Sequence, residues 1–263
     1  MDLELNNKAA IITGGTEGIG KATATVLTQE GANVLICGRR TNILNKAIEE
    51  IRQTAKGKIE GINADITKKS DITLLADTCI KKFSRIDILI NNAGTSSAHN
   101  FELANEQIWD EDLQLKLYAA LRLSHKVITH MKKNGAGRII NVTNLGGKQP
   151  GANSLPTSVS RAAGMALTKA MSKDLAKYNI LVNTVAIGLI KSGQHEKRFD
   201  SVKKQNPALT LNNYYQSISN NVPLNRVGEA SEAANAIAFL VSGKASYLTG
   251  TAINIDGGTS AVL

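Results

Sequence analysis

Glycines at positions 14, 18 and 20 fall inside the run Thr13-Gly14-Gly15-Thr16-Glu17-Gly18-Ile19-Gly20, entered from an apolar stretch at 9–12 and left by a helical pattern. A strand, a glycine turn and a helix start in this order gather backbone N–H groups and the positive end of a helix dipole at one point, which suits a pyrophosphate. The three glycines would in turn permit the tight bend, the approach of the phosphates and the packing of helix on strand. A glycine turn that serves structure alone is the other reading of these eight residues. Arg39, at the tip of the next apolar stretch, adds a second signal, because a guanidinium fork pairs with a 2′-phosphate where an acidic residue would bond ribose hydroxyls. Gly38 beside it offers no carboxylate, so the expectation is NADP(H); a solvated arginine is the alternative.

Those groups need a scaffold, and the chain has room for one. It has 263 residues, normal for one α/β domain around a buried parallel sheet, and 42% of them are hydrophobic. No apolar run approaches the roughly 18 residues of a membrane span, and Met1-Asp2-Leu3-Glu4 lacks the basic and apolar regions of a signal peptide. A soluble, cytoplasmic protein is expected, with no membrane partner. Cys37 and Cys79 have no metal-ligand spacing and read as small buried residues, so neither a disulfide framework nor a metal is expected. The net charge of +9 is scattered and aromatic residues are only 4%, too few stacking platforms for a nucleic-acid reader. An anionic cofactor or small-molecule substrate explains the charge more simply.

Along the chain, apolar strands are expected at 33–37, 59–64, 86–90, 138–142, 181–186 and 252–255, and helical periodicity at 19–29, 44–55, 71–83, 105–131, 158–177 and 230–240. Alternation with short links predicts a doubly wound parallel sheet with right-handed crossovers. Asn91-Asn92-Ala93-Gly94 closes the fourth strand with small residues beside which a flat ring can lie. Residues 191–221 turn to Lys, Asn, Gln and Ser with Tyr214 and Tyr215 near the end. They are too polar for core and read as a substrate lid with one or two short helices, or as a solvated insertion.

Thr13 to Gly20, Asp65, Asn91 to Gly94, Asn183, Gly188, Ser192 and Tyr247-Leu248-Thr249-Gly250 leading into Asp256-Gly257-Gly258 together resemble the short-chain dehydrogenase/reductase family, in the style of its 3-oxoacyl carrier-protein reductases. The resemblance spans nearly the whole chain. It implies one Rossmann domain, 1–263, with a doubly wound seven-stranded parallel sheet, a nicotinamide cofactor, hydride transfer between that cofactor and a carbonyl or hydroxyl carbon, and a homotetramer or homodimer. It places NADP(H) against Gly14, Thr16, Gly18, Ile19, Gly20, Arg39, Asp65, Ile66, Asn92, Ala93, Gly94, Arg161, Gly188 and Ser192.

The family usually carries a Tyr-x-x-x-Lys pair, a serine thirteen residues before the tyrosine, and an asparagine seven after a tryptophan. On this chain those positions fall at Thr157, Arg161, Asn144 and, counting from Trp109, Lys116. All four expected residues are replaced. A threonine hydroxyl is a far weaker acid than a phenol, and Arg161 keeps its charge, so it can bond ribose hydroxyls without relaying a proton. Asn144 can still donate to a substrate oxygen. Lys116 becomes a substitute acid if burial and Arg161 lower its pKa, or is a solvated helix lysine if it points away. The 2,4-dienoyl-CoA reductases of this family also lack the tyrosine but carry one soon after the fifth strand; the corresponding loop, 145–149, has none. Three readings follow. The first is an NADP(H)-dependent oxidoreductase with a remodelled site for a carbonyl, hydroxyl or enoyl substrate, anionic or polarised. The others are an inactive homologue that binds cofactor or a partner, and a non-redox lyase or isomerase.

Overall fold

Strand β1 (Ala9–Thr13) is buried along its whole length, and its alternate side chains divide between two cores. Ala10 and Ile12 face one side of the sheet, with Leu27, Ile36, Ile90 and Ile237; Ala9 and Ile11 face the other, with Leu35, Leu75, Leu89 and Val127. That two-residue period, with apolar groups on both faces, is what a parallel strand covered by helices on both sides requires. The computed structural model describes residues 1–262.

The other strands are β2 (Asn33–Gly38), β3 (Ile59–Asn63), β4 (Ile88–Asn91), β5 (Gly137–Asn144), β6 (Ile180–Ile187) and β7 (Ala252–Ile255). They form one parallel sheet in the order β3-β2-β1-β4-β5-β6-β7, with Ile12 level with Ile36 on one side and Ile90 on the other. The order reverses between β1 and β4, so loops leaving these strands diverge and open a crevice at their C-terminal ends. Helices α1 (Gly18–Gln29), α2 (Thr41–Arg52) and α3 (Lys69–Phe83) follow the first three strands. The fold is thus the doubly wound Rossmann domain with seven strands that the pattern of apolar stretches implies.

The long helix expected over 105–131 is three pieces: α4 (Glu106–Leu113), a π-helical turn (Gln114–Tyr118) and α5 (Ala119–Lys133). Asn105 caps α4, its side chain accepting from Ile108 N–H at 3.0 Å. Apolar periodicity cannot register a single wide turn, because the flanking stretches keep a helical period. Such turns concentrate at functional sites, and this one carries Lys116. Helix α6 (Thr157–Leu175) precedes β6, and α9 (Ala230–Val241) precedes β7.

Residues 191–221 hold α7 (Gly193–Lys203) and α8 (Leu211–Ile218). They are less polar in effect than their composition suggests: Phe199, Tyr214, Tyr215 and Val227 form a small separate core, with the Phe199 and Tyr214 rings 5.8 Å apart. A few aromatic residues spaced across two short helices bury each other, which window-averaged polarity hides. Among the described residues, no helix is long and apolar enough to cross a membrane.

A polar ladder crosses the middle of the molecule. Asn91 Nδ2 donates to Asn141 Oδ1 at 2.8 Å, Asn141 Nδ2 to Thr168 Oγ1 at 2.8 Å, and Thr184 Oγ1 to Thr168 Oγ1 at 2.9 Å, joining β4, β5, α6 and β6. Thr168→Val keeps the shape but strands two buried donors. We expect it to cost about 1–3 kcal/mol, read from the midpoint of denaturant unfolding; an unchanged midpoint would show the ladder to be dispensable.

Candidate active site

The crevice is a cavity of about 660 Å³ at the C-terminal ends of β1, β4, β5 and β6, within the range of a cofactor-sized site. Its floor is the glycine turn. Gly14 and Gly18 have φ of +64° and +53°, a left-handed region closed to most side chains, and a Cβ on Gly14 would come within 3.0 Å of Ala93 Cα. No side chain caps the N-terminus of α1, which leaves its first N–H groups directed at the cavity. Asn92 holds the turn in place. Its Nδ2 donates to the carbonyls of Thr13 at 3.0 Å and Gly14 at 3.1 Å, while the Thr13 hydroxyl accepts from the N–H groups of Asn92 and Ala93.

Thirteen of the fourteen residues expected against the dinucleotide line this one cavity: Gly14, Thr16, Gly18, Ile19, Arg39, Asp65, Ile66, Asn92, Ala93, Gly94, Arg161, Gly188 and Ser192. Gly20 does not. It lies behind the turn, where a Cβ would fall 2.2 Å from the Gly14 carbonyl oxygen, so its part is to let helix and turn meet. Asp65 is fixed at the rim by accepting from Thr67 N–H at 3.0 Å and from its hydroxyl at 2.8 Å. Arg40 pairs with Glu17, whereas Arg39 is exposed and has no salt-bridge partner among the described residues. Cys37 also reaches the wall, but burial pushes its thiol up to about 12, which makes it inert.

At the other end, Lys116 points inward. Its side chain is only 6% exposed, its Nζ is ion-paired with Asp112 and donates to Thr157 Oγ1 at 2.6 Å, and it flanks Gly94 on the cavity wall. Burial, opposed by the Asp112 hydrogen bond and charge and aided by the nearby Arg161 charge, leaves the ammonium pushed down to about 8. Arg161 lines the same wall with its Nε buried and without a hydrogen-bond partner among the described residues, and burial holds its pKa below the ordinary range although it keeps its charge. Asn144 lines the wall as well; its Oδ1 accepts from Gly146 N–H at 3.1 Å, and its amide NH₂ has no protein partner among the described residues. Thr157 stands behind Lys116 and is not part of the lining, because α6 begins there and turns its first residue into the protein.

Composition and motif spacing pass over Asp112 and Ser160. Asp112 is buried, its Oδ2 accepting from Ser160 Oγ at 2.6 Å. The signal was the four-residue interval between Asp112 and Lys116 in a helical stretch, the spacing of an ion pair; nothing in the sequence says that the pair faces inward. Among the described residues no tyrosine lines the cavity, and Tyr214 and Tyr215 belong to the separate aromatic core. Ser192, just before α7, and Gln194 and His195 of α7 extend the wall, with Gln194 Nε2 donating to the Gly94 carbonyl at 3.3 Å.

The profile of the short chain dehydrogenase family matches residues 8–203. The chain is 31% identical over 256 residues, 97% of its length and 99% of the relative's, to a 3-oxoacyl-acyl-carrier-protein reductase of Thermotoga maritima. L-sorbose reductase from Gluconobacter frateurii, solved with NADPH and L-sorbose, superimposes with a TM-score of 0.96 at 30% identity, covering 100% of both chains. A short chain oxidoreductase from Pseudomonas aeruginosa PAO1, solved with NADPH and described as containing an atypical catalytic center, gives 0.89 at 30% identity over 99% of each chain. With three-quarters of its length matched by the profile and its seven-stranded sheet shared with these structures, the chain belongs to the short chain dehydrogenase family.

Proposed function

We propose that the protein is an NADP(H)-dependent oxidoreductase acting on a carbonyl, hydroxyl or enoyl substrate, with Lys116, at the family's asparagine position, as the proton donor in place of the tyrosine that Thr157 replaces. The observation that carries this reading is the Lys116 ammonium, tethered by Asp112 and the Thr157 hydroxyl, in a cavity wall that no tyrosine reaches. Two of its three protons face those acceptors, which leaves the third for a substrate oxygen. The uncapped α1 N-terminus and the glycine turn fit a pyrophosphate, and Arg39 fits a 2′-phosphate. Both the L-sorbose reductase and the Pseudomonas oxidoreductase were solved with NADPH, which supports the same cofactor.

When bound, the dinucleotide supplies or accepts the hydride. The chain does the rest. Arg161 bonds ribose hydroxyls and places positive charge near the reacting oxygen, Asn144 donates its free amide proton to that oxygen, and Lys116 delivers the proton as negative charge develops there. The cationic pair favours an anionic or strongly polarised substrate. Residues 191–221 act as the lid, α7 closing the wall through Gln194 and His195.

The test is single-turnover consumption of NADPH with a panel of sugar ketones, 3-oxoacyl thioesters and enoyl thioesters. Loss of nicotinamide absorbance with at least one of them is expected; tight NADPH binding without oxidation by any would leave the protein a cofactor-binding homologue. Arg39→Ser is expected to weaken NADPH about 10- to 100-fold, the loss of a charge-assisted pair, with little change for NADH. Equal losses for both cofactors by fluorescence titration would place the 2′-phosphate elsewhere.

A further inference from the structure

We infer that Asp112 is a positioning residue of this site: its buried carboxylate anchors the Lys116 ammonium in the cavity wall and keeps the proton on it, and Ser160 holds that carboxylate in place. The inference rests on the oxidoreductase reading for its catalytic consequence, though not for its chemistry. Asp112 touches neither the cavity nor anything that would occupy it. Its side chain is 1% exposed, and its two oxygens are used on opposite sides, one by Lys116 Nζ and the other by Ser160 Oγ at 2.6 Å. The Ser160 hydroxyl sits over the Thr157 carbonyl at 3.1 Å, so α6 fixes the carboxylate from behind while the same helix offers Lys116 its second acceptor, Thr157 Oγ1. A carboxylate so enclosed needs the ammonium as much as the ammonium needs it.

The charges acting on Lys116 explain why the anchor matters. Arg161 approaches from α6 and carries the same sign; His195, Lys197 and Arg198 line the cavity from α7 and add no negative charge; Asp112 alone among the groups acting on Lys116 is acidic. Burial and Arg161 drive the proton off, and Asp112 retains it. Neutralising the carboxylate should therefore leave a lysine that is still present but deprotonated at neutral pH. Its ability to donate would then return only on acidification.

The decisive variant is Asp112→Asn, which keeps the shape and a hydrogen bond to Ser160. Two measurements are required. In protein labelled with ¹³C at lysine Cε and saturated with NADP, the Lys116 resonance, assigned by its absence in Lys116→Gln, should titrate about 1 to 3 pH units lower in Asp112→Asn than in the native chain. In parallel, kcat for reduction should fall near neutral pH and recover on acidification with KM for NADPH unchanged, and Asp112→Glu should restore part of the neutral rate. A residue that merely stabilised the fold would lower activity at every pH and leave the titration where it was. An unmoved Lys116 titration in the folded Asp112→Asn protein overturns the inference while leaving the proposed activity standing. A shifted titration with full activity in Lys116→Gln would do the reverse, upholding the anchor and removing Lys116 from the chemistry. If Asp112→Asn does not fold, Ser160→Ala tests the same anchor with its charge intact: because Ser160 also lines the cavity, the Lys116 titration is the readout, and a displaced titration upholds the anchor while a native one overturns it.

Discussion

Lys116→Gln is expected to lower the rate of reduction by about 10²- to 10⁴-fold, the usual cost of losing a positioned general acid. The amide can still meet Asp112 and Thr157, so the wall keeps its hydrogen bonds, and NADPH binding should change little because Lys116 lies away from the glycine turn and Arg39. The pH dependence supplies the sharper signature. A lysine pushed down to about 8 is protonated below that pH and neutral above it, so reduction should run at its plateau on the acid side and decline as pH rises through about 8. Oxidation, which needs the neutral amine as base, should show the opposite slope. The variant should lose this limb in both directions. A folded Lys116→Gln protein that binds NADPH and turns over at the native rate would place the proton source elsewhere, and the half-exposed His195 of α7 would be the first group to examine.

Gly20→Ala is the second change with a large expected effect. The added Cβ would stand 2.2 Å from the Gly14 carbonyl oxygen, a backbone atom of the turn, and 2.5 Å from the side-chain Asn92 Nδ2 that ties the turn down, so the turn itself must move. Overpacking of this kind costs about 1–3 kcal/mol, and because the displaced atoms belong to the cavity floor proposed to hold the phosphates we expect the loss to appear as cofactor affinity, about 10- to 100-fold for NADPH and for NADH alike. That shared loss separates it from Arg39→Ser, whose effect should fall on NADPH. Fluorescence titration of both cofactors checks the pair; native affinity in Gly20→Ala would mean that α1 can slide on β1 without disturbing the floor.

Much of the scaffold is readable before any coordinates because its causes are local. The apolar run at β1, the three glycines and the helical period after them lie within thirty residues of one another and are repeated down the chain as strand and helix units. A short continuous apolar run that ends in glycine and is followed by a helical period fits a strand buried on both faces. Boundaries are less legible. The fourth strand starts at Ile88, two residues later than its apolar run suggests, although the Asp87 backbone already donates to the Ala9 carbonyl and accepts from Arg138 N–H at its edge.

The site divides the same way. Residue types and intervals alone pointed to the glycine turn and to Arg39 at the tip of β2, and the resemblance to the family set Lys116, Asn144, Thr157 and Arg161 in one frame, since each reading depends on chain-local spacing. Tertiary structure alone decided that Lys116 turns inward, that Thr157 supports it from behind, that Asp112 and Ser160 brace it, and that Tyr214 packs with Phe199 instead of serving the cavity. The reason is that burial is a property of three dimensions. The same Asp-x-x-x-Lys interval on a helix is a weak surface pair in water and a tightly coupled one when α6 covers it, and only the packing of α6 against the π-helical turn says which of the two this chain contains.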